Sequence, residues 1–209
     1  MMKIEQIKST PDRAGRYLIR FVDGHTMRLY RQTVEDFGLY PGMELTDEEM
    51  ENLAYSAGQM SAKMRAVRII SASSVSRSDL QQRLVQKGED KQQAEQAIAW
   101  LEELSLLDDR KTAQQIVSRC ISKGYGLSRA KQALYEKRIP KEYWEEALVN
   151  YPQQEEAIMA YLSSKLTAES DSKQLRRVMD ALIRRGHSYA TIKHCLSQLC
   201  FDTDELLEG

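Results

Sequence analysis

The strongest constraint on this chain is a helical pattern that recurs about every fifty residues. With Gly88, Arg138 and Gly186 as anchors, a leucine stands four residues earlier each time, as Leu84, Leu134 and Leu182. Apolar residues follow six residues after each anchor (Ala94, Trp144, Ile192) and ten after (Ile98, Leu148, Leu196). These are the spacings of two amphipathic helices joined by a short turn, written three times. A chain that repeats at this length folds as a row of small modules instead of around one large core. Such rows present an extended surface, which favours a macromolecular partner over a small substrate.

The front of the chain breaks the pattern. Tyr17-Leu18-Ile19-Arg20-Phe21-Val22 and His25-Thr26-Met27-Arg28-Leu29-Tyr30 are rich in aromatic and β-branched residues and flank Asp23-Gly24. That arrangement predicts a hairpin with a type I′ turn. Lys3 to Ser9 supplies a candidate third strand, residues 31–38 suit one or two helical turns, and Tyr40-Pro41-Gly42 breaks the chain. Residues 1–45 therefore read as a small β-rich unit.

Thr46-Asp47-Glu48-Glu49 is a capping-box sequence that opens a helix reaching about Ser71. A second helix runs from Arg77 to Lys87 and stops at Gly88, and Asp90 caps a third, which completes a module over 46–107. The next module, 108–152, opens on Asp108-Asp109. Ala113, Ile116, Val117, Cys120 and Ile121 form an apolar stripe there, Ser128 is the expected cap of its second helix, and Pro140 starts its third. The last module, 153–209, carries Ile158, Tyr161 and Leu162, then Leu175, Val178, Met179 and Leu182, then a helix capped by Ser188. It ends in the acidic run Asp202-Thr203-Asp204-Glu205, expected to fray.

The net charge is only -1, so affinity for nucleic acid must rest on local patches and not on the molecule's overall field. Three cysteines with no CxxC argue against a disulfide framework and for a reducing cytoplasm. The opening residues lack the apolar core of a signal peptide, and no apolar run approaches a membrane span. GxxxxGK[ST], GxSxG and HExxH are all absent, so no catalytic residue or cofactor is expected. His187 and His194 near Cys195 and Cys200 are poorly spaced for zinc; they read as two surface histidines beside two semi-buried cysteines. Cys120 and both tryptophans, Trp100 and Trp144, read as core residues.

Leu80-xxx-Leu84-xx-Lys87-Gly88, Leu104-xx-Leu107-Asp108-Asp109, and Lys123-Gly124-Tyr125-Gly126 with Leu134 beyond it resemble the RecX regulatory proteins, over roughly Arg68 to Leu199. The front resembles the leading segment of some members through Leu39-xx-Gly42-Met43-x-Leu45-Thr46. Two positions depart from the family pattern. Thr112 stands where an aromatic residue is usual, and Arg138 replaces a glycine before Ile139, which asks a non-glycine residue to end a helix in the left-handed region. The resemblance implies a mainly α fold of tandem three-helix modules in an elongated, curved array, here with a small N-terminal β-hairpin unit. It implies a monomer that is not an enzyme and that binds the RecA recombinase filament within its groove. It further implies inhibition of filament growth, ATP hydrolysis, strand exchange and stimulated repressor cleavage, and so restraint of recombination and the SOS response.

The basic residues are the candidates for that contact. Lys123, Arg129, Lys131, Lys137 and Arg138 crowd the second module; Lys173, Arg176, Arg177, Arg184, Arg185, Lys193 and His194 crowd the third. Such stripes suit single- or double-stranded DNA phosphates or an acidic RecA surface, while a solvated face is the ordinary alternative. Tyr125, between two glycines, is either an exposed anchor or a lid folded over the module core; the latter is favoured. A rival reading takes the paired helices as helix-turn-helix units of an autonomous DNA-binding protein.

Overall fold

The computed structural model describes residues 1–167 and 169–199. Cys200 and the acidic run at 202–205 lie outside the described residues. The chain divides into two compact units, Met1–Leu107 and the part from Asp108 onward.

The first unit opens with strands β1 (Met2–Ile7), β2 (Arg16–Phe21) and β3 (Thr26–Tyr30), then helix α1 (Arg31–Asp36) and a short strand β4 (Glu44–Leu45). The antiparallel sheet has the order β3-β2-β1-β4. The hairpin forms where expected, but its turn is not type I′. Only Gly24 has positive φ (86°), and its N–H donates to the Phe21 carbonyl at 2.9 Å. A type I′ turn needs positive φ at both central residues; here Asp23 keeps negative φ and its carboxylate accepts from the His25 N–H (2.9 Å), giving a three-residue loop with glycine in the left-handed position.

Helix α2 (Asp47–Ala72) begins at the capping box, with the Glu49 N–H donating to Thr46 Oγ1 and the Thr46 N–H to the Glu49 carboxylate. It serves two cores. Leu53 packs with Ile4, Ile19, Phe21, Leu29 and Leu45 of the sheet. Two turns later Ala62 and Ala66 pack with helices α3 (Arg77–Gln86) and α4 (Lys91–Glu103) through Leu80, Leu84, Ala97, Ile98 and Leu101. Alanine at those two positions lets the helices approach closely.

The second unit contains α5 (Asp109–Ser122), α6 (Leu127–Glu136), a 3-10 turn (Lys141–Tyr143) running into α7 (Trp144–Leu148), α8 (Glu155–Lys165), α9 (Ser172–Arg184) and α10 (Tyr189–Gln198). Ala113, Ile116, Val117, Leu134 and Ile139 form one core. Ile158, Leu162, Leu175, Leu182, Ile192, Cys195 and Leu196 form another.

The three repeat anchors close their helices in the same way. Gly88, Arg138 and Gly186 have φ of 89°, 54° and 88°. Their N–H groups donate to the carbonyls of Val85, Tyr135 and Ile183, and the next residues, Glu89, Ile139 and His187, donate to the carbonyls of Leu84, Leu134 and Leu182. This is the Schellman cap, and it explains the conserved spacing within the chain. Each leucine supplies both a carbonyl to the cap and a fully buried side chain to its core. Arg138 does enter the left-handed region that its neighbours in the repeat reach with glycine.

Candidate partner-binding site

The sequence-derived cations fall on two helices and the turns that follow them. On α9 the residues Leu175, Val178, Met179 and Leu182 are buried, which turns Lys173, Arg177 and Arg184 to the opposite face with Arg176 on its flank. Asp180 sits among them, so the face is basic but not uniformly so. Arg185 differs from these four: it caps α9, is half-buried, and its guanidinium lies 4.5 Å from the centre of the Tyr161 ring.

On α6, Lys131 is exposed, whereas Arg129 pairs with Glu136 at 3.0 Å. Lys123 caps α5 in the open, and Tyr125 is half-buried in the turn that follows. Arg138 stands apart from this group, lining a groove of about 600 Å³ with Tyr135, Pro140, Lys141 and Trp144.

A joint between the two cores of the second unit brings several of these residues together. The N–H of Gly126 donates to the Arg185 carbonyl (2.9 Å), and that of Ser128 to the Gly186 carbonyl (3.2 Å). Ser128 is therefore not the cap of α6: Gly126 is, and no side chain caps it. The carbonyls left free by the helix at the end of α9 satisfy the open N–H groups at the start of α6, in the sense that also aligns opposite ends of the two helix dipoles. Both glycines are buried, and a Cβ on either would run into the facing segment: at Gly126 into the Gly186 carbonyl, at Gly186 into the backbone of Arg129. The Tyr151 hydroxyl donates to the Tyr125 carbonyl (2.6 Å) and the Gln154 amide to the Ile121 carbonyl (3.2 Å), which fasten the same turn from the other side. Burial pushes the Tyr151 phenol up to about 12, so it remains a hydrogen-bond donor throughout the physiological range. The turn that carries Tyr125 and the start of α6 that carries Arg129 are thereby held against the Arg185–Gly186 segment by backbone contacts.

His187 lies in this joint and is buried, not on the surface as its polarity suggested. Burial lowers its pKa; a hydrogen bond with the Gly124 backbone works against the shift, and the Arg185 charge adds to it. Its Nδ1 has no hydrogen-bond partner. Cys195 is likewise fully buried in the core of α8 to α10, deeper than a semi-buried position, and burial raises its thiol pKa as it does that of Cys120. Among the described residues no three His, Cys, Asp or Glu side chains gather as metal ligands, and no helix is long and apolar enough to cross a membrane.

The sequence reasoning missed Gly126, Tyr151 and His187 as joint residues. Gly126 carried a signal, a second glycine two residues after the one that ends α5; the other two carried none, because Tyr151 acts on the Tyr125 carbonyl, 26 residues away, and His187 on the Gly124 backbone, farther still along the chain.

Comparison with known proteins adds the family. The model described as "RecX, second three-helix domain" matches residues 108–148. A protein named Regulatory protein RecX from Clostridioides difficile is 29% identical over 203 residues, covering 94% of each chain. One of the same name from Vibrio parahaemolyticus is 30% identical over 149 residues, covering 68% of this chain and 93% of its own. Among solved structures, a regulatory protein RecX superposes with a TM-score of 0.61 at 21% identity, over 93% of this chain and all of the other. RecX from Lactobacillus salivarius gives 0.58 at 18%, over 69% of this chain and 98% of its own. These two likenesses establish the fold.

Proposed function

The chain belongs to the RecX family of regulatory proteins, and on that premise we propose that it is a non-enzymatic negative regulator of the RecA recombinase. It binds the RecA nucleoprotein filament in the cytoplasm and restrains its ATP hydrolysis, strand exchange and coprotease activity, and with them homologous recombination and the SOS response. The observation that carries this reading is the likeness to proteins named Regulatory protein RecX along nearly the whole chain. The contact surface is built from Lys123, Tyr125, Arg129, Lys131 and Arg138 of the second module and Arg176, Arg177, Arg184 and Arg185 of the third. The exposed members, Lys123, Lys131, Arg138, Arg176, Arg177 and Arg184, meet the partner's acidic groups or DNA phosphates. The partly buried Arg129 and Arg185 shape the surface through Glu136 and Tyr161.

The mechanism is steric and electrostatic. A body lying in the filament groove bridges neighbouring protomers and obstructs DNA pairing and nucleotide turnover. The rival, an autonomous DNA-binding protein, is separated by co-sedimentation. The protein is expected to pellet with preformed RecA–ssDNA filaments at concentrations where it does not pellet with naked DNA. Equal recovery with both would favour the rival.

A further inference from the structure

The first unit holds a second concentration of positive charge that the reading above does not use. A cavity of about 410 Å³ opens there, walled by Arg16 and Tyr30 from the sheet and by Arg65, Arg68, Arg83 and Lys87 from the helices. Three of its cations are matched by carboxylates: Arg16 with Asp12 (2.8 Å), Arg65 with Glu89 (2.5 Å) and Arg83 with Asp79 (2.9 Å). Among the described residues, Arg68 and Lys87 have no carboxylate within ion-pair reach. Arg68 is instead oriented by neutral acceptors, donating to the Ala14 carbonyl (2.7 Å) and the Tyr30 hydroxyl (3.3 Å). The cavity therefore keeps two cations in excess, in a concave site where field lines concentrate.

The surplus does not stop at the cavity. In the β2–β3 ribbon Arg16 pairs with Tyr30, Leu18 with Arg28 and Arg20 with Thr26. Tyr17, Ile19 and Leu29 point to the core, so this alternate set lies on the outer face and carries the exposed Arg20 and Arg28 on from Arg16. A single small anion needs only the pocket. A row of cations leading away from it suits a polyanion, and the half-buried Tyr30 ring and Ile69 offer a wall for a sugar or base.

We propose that this pocket and the adjoining ribbon face bind the phosphate backbone of a single nucleic-acid strand, with Arg68 and Lys87 as the contacting cations. The site belongs to the first unit and is independent of the filament surface assigned to the second. It is tested on the full chain without RecA, by fluorescence anisotropy of a labelled oligothymidylate across a salt series. The Arg68→Gln, Lys87→Gln double variant is expected to weaken binding about tenfold and to reduce the slope of log affinity against log salt by about 1.4, the single-strand value for two phosphate contacts. Arg68→Lys alone should retain most of the affinity. Circular dichroism and hydrogen exchange establish that the variants are folded. An unchanged affinity and slope in the folded double variant would overturn the proposal, as would the absence of binding by the unmodified chain at low salt. Displacement of the oligonucleotide by ADP or inorganic phosphate at equal phosphate concentration would make this a small-anion site, which also overturns it. Failure of this binding leaves the filament reading intact, because that reading rests on preference for the filament over naked DNA and is tested by the co-sedimentation above.

Discussion

The residue after each repeat anchor is buried in all three copies, yet it is chemically different each time: Glu89, Ile139 and His187 are 8%, 4% and 6% exposed. Ile139 simply joins its core, Glu89 is matched by Arg65, and His187 has an unpartnered Nδ1. Because burial lowers the pKa of His187 below its unfolded value, the unfolded chain takes up the proton first. Its stabilising contribution is whole above about pH 6.5 and is lost as pH falls below that. Urea midpoints of the second unit should thus fall between about pH 7.5 and about pH 5.5, and His187→Asn should flatten that dependence. The anchors themselves give a sharper contrast. Gly88→Ala meets open space and should cost about 1–2 kcal/mol for its backbone conformation alone. Gly186→Ala adds a collision with the Arg129 backbone and should cost at least about 3 kcal/mol. Arg138→Gly, at φ 54°, should instead stabilise by about 1 kcal/mol, and denaturant titration reads all three. The left-handed anchors were legible because a Schellman cap needs a left-handed residue at a fixed place after the last helical turn, and in this chain a leucine precedes each one by four residues. The burial of His187 was not, since polarity alone places a histidine at the surface.

At the scale of elements, local rules succeeded where local contacts decide. Asp90 and Ser188 cap their helices as expected, and the first of the paired aspartates, Asp108, caps α5, because each side chain reaches its own N–H groups. Ser128 failed as a cap because the carbonyl of Gly186, distant in sequence, took that role. Strand β4 escaped notice because two residues carry no period, and it exists only by pairing with β1. The basic cavity of the first unit was half visible, as Arg65 and Arg68 one turn apart on α2 and Arg83 and Lys87 one turn apart at the end of α3; what Arg16 and Tyr30 add depends on the sheet's placement. Leu134 is fully buried and belongs to the core of α5 to α7. Leu134→Ala should destabilise that module by roughly 2–5 kcal/mol. Hydrogen exchange should then show protection lost mainly between Asp108 and Tyr151, with partial loss in α8 to α10 through the shared joint. Uniform loss along the chain would contradict a modular fold. On α9, Arg177→Glu with Arg184→Glu removes two exposed charges and leaves the Arg185–Tyr161 contact in place. It should weaken filament inhibition while each lost contact contributes about 1 kcal/mol or less, and unaltered potency in the folded variant would make this face a solvated one.

For the molecule as a whole, the features point in one direction. Small cores and short turns produce an extended surface, and the net charge of -1 confines any electrostatic recognition to patches. The proposed function gives that surface RecA as its partner. The measurement that tests the connection most directly is the rate of phosphate release by RecA on single-stranded DNA with saturating ATP, as this protein is titrated against RecA from the same organism. The expected result is progressive inhibition that is complete at or below equimolar protein, with no phosphate released by the protein alone. An unchanged rate at every ratio, with the protein folded, would contradict the assignment.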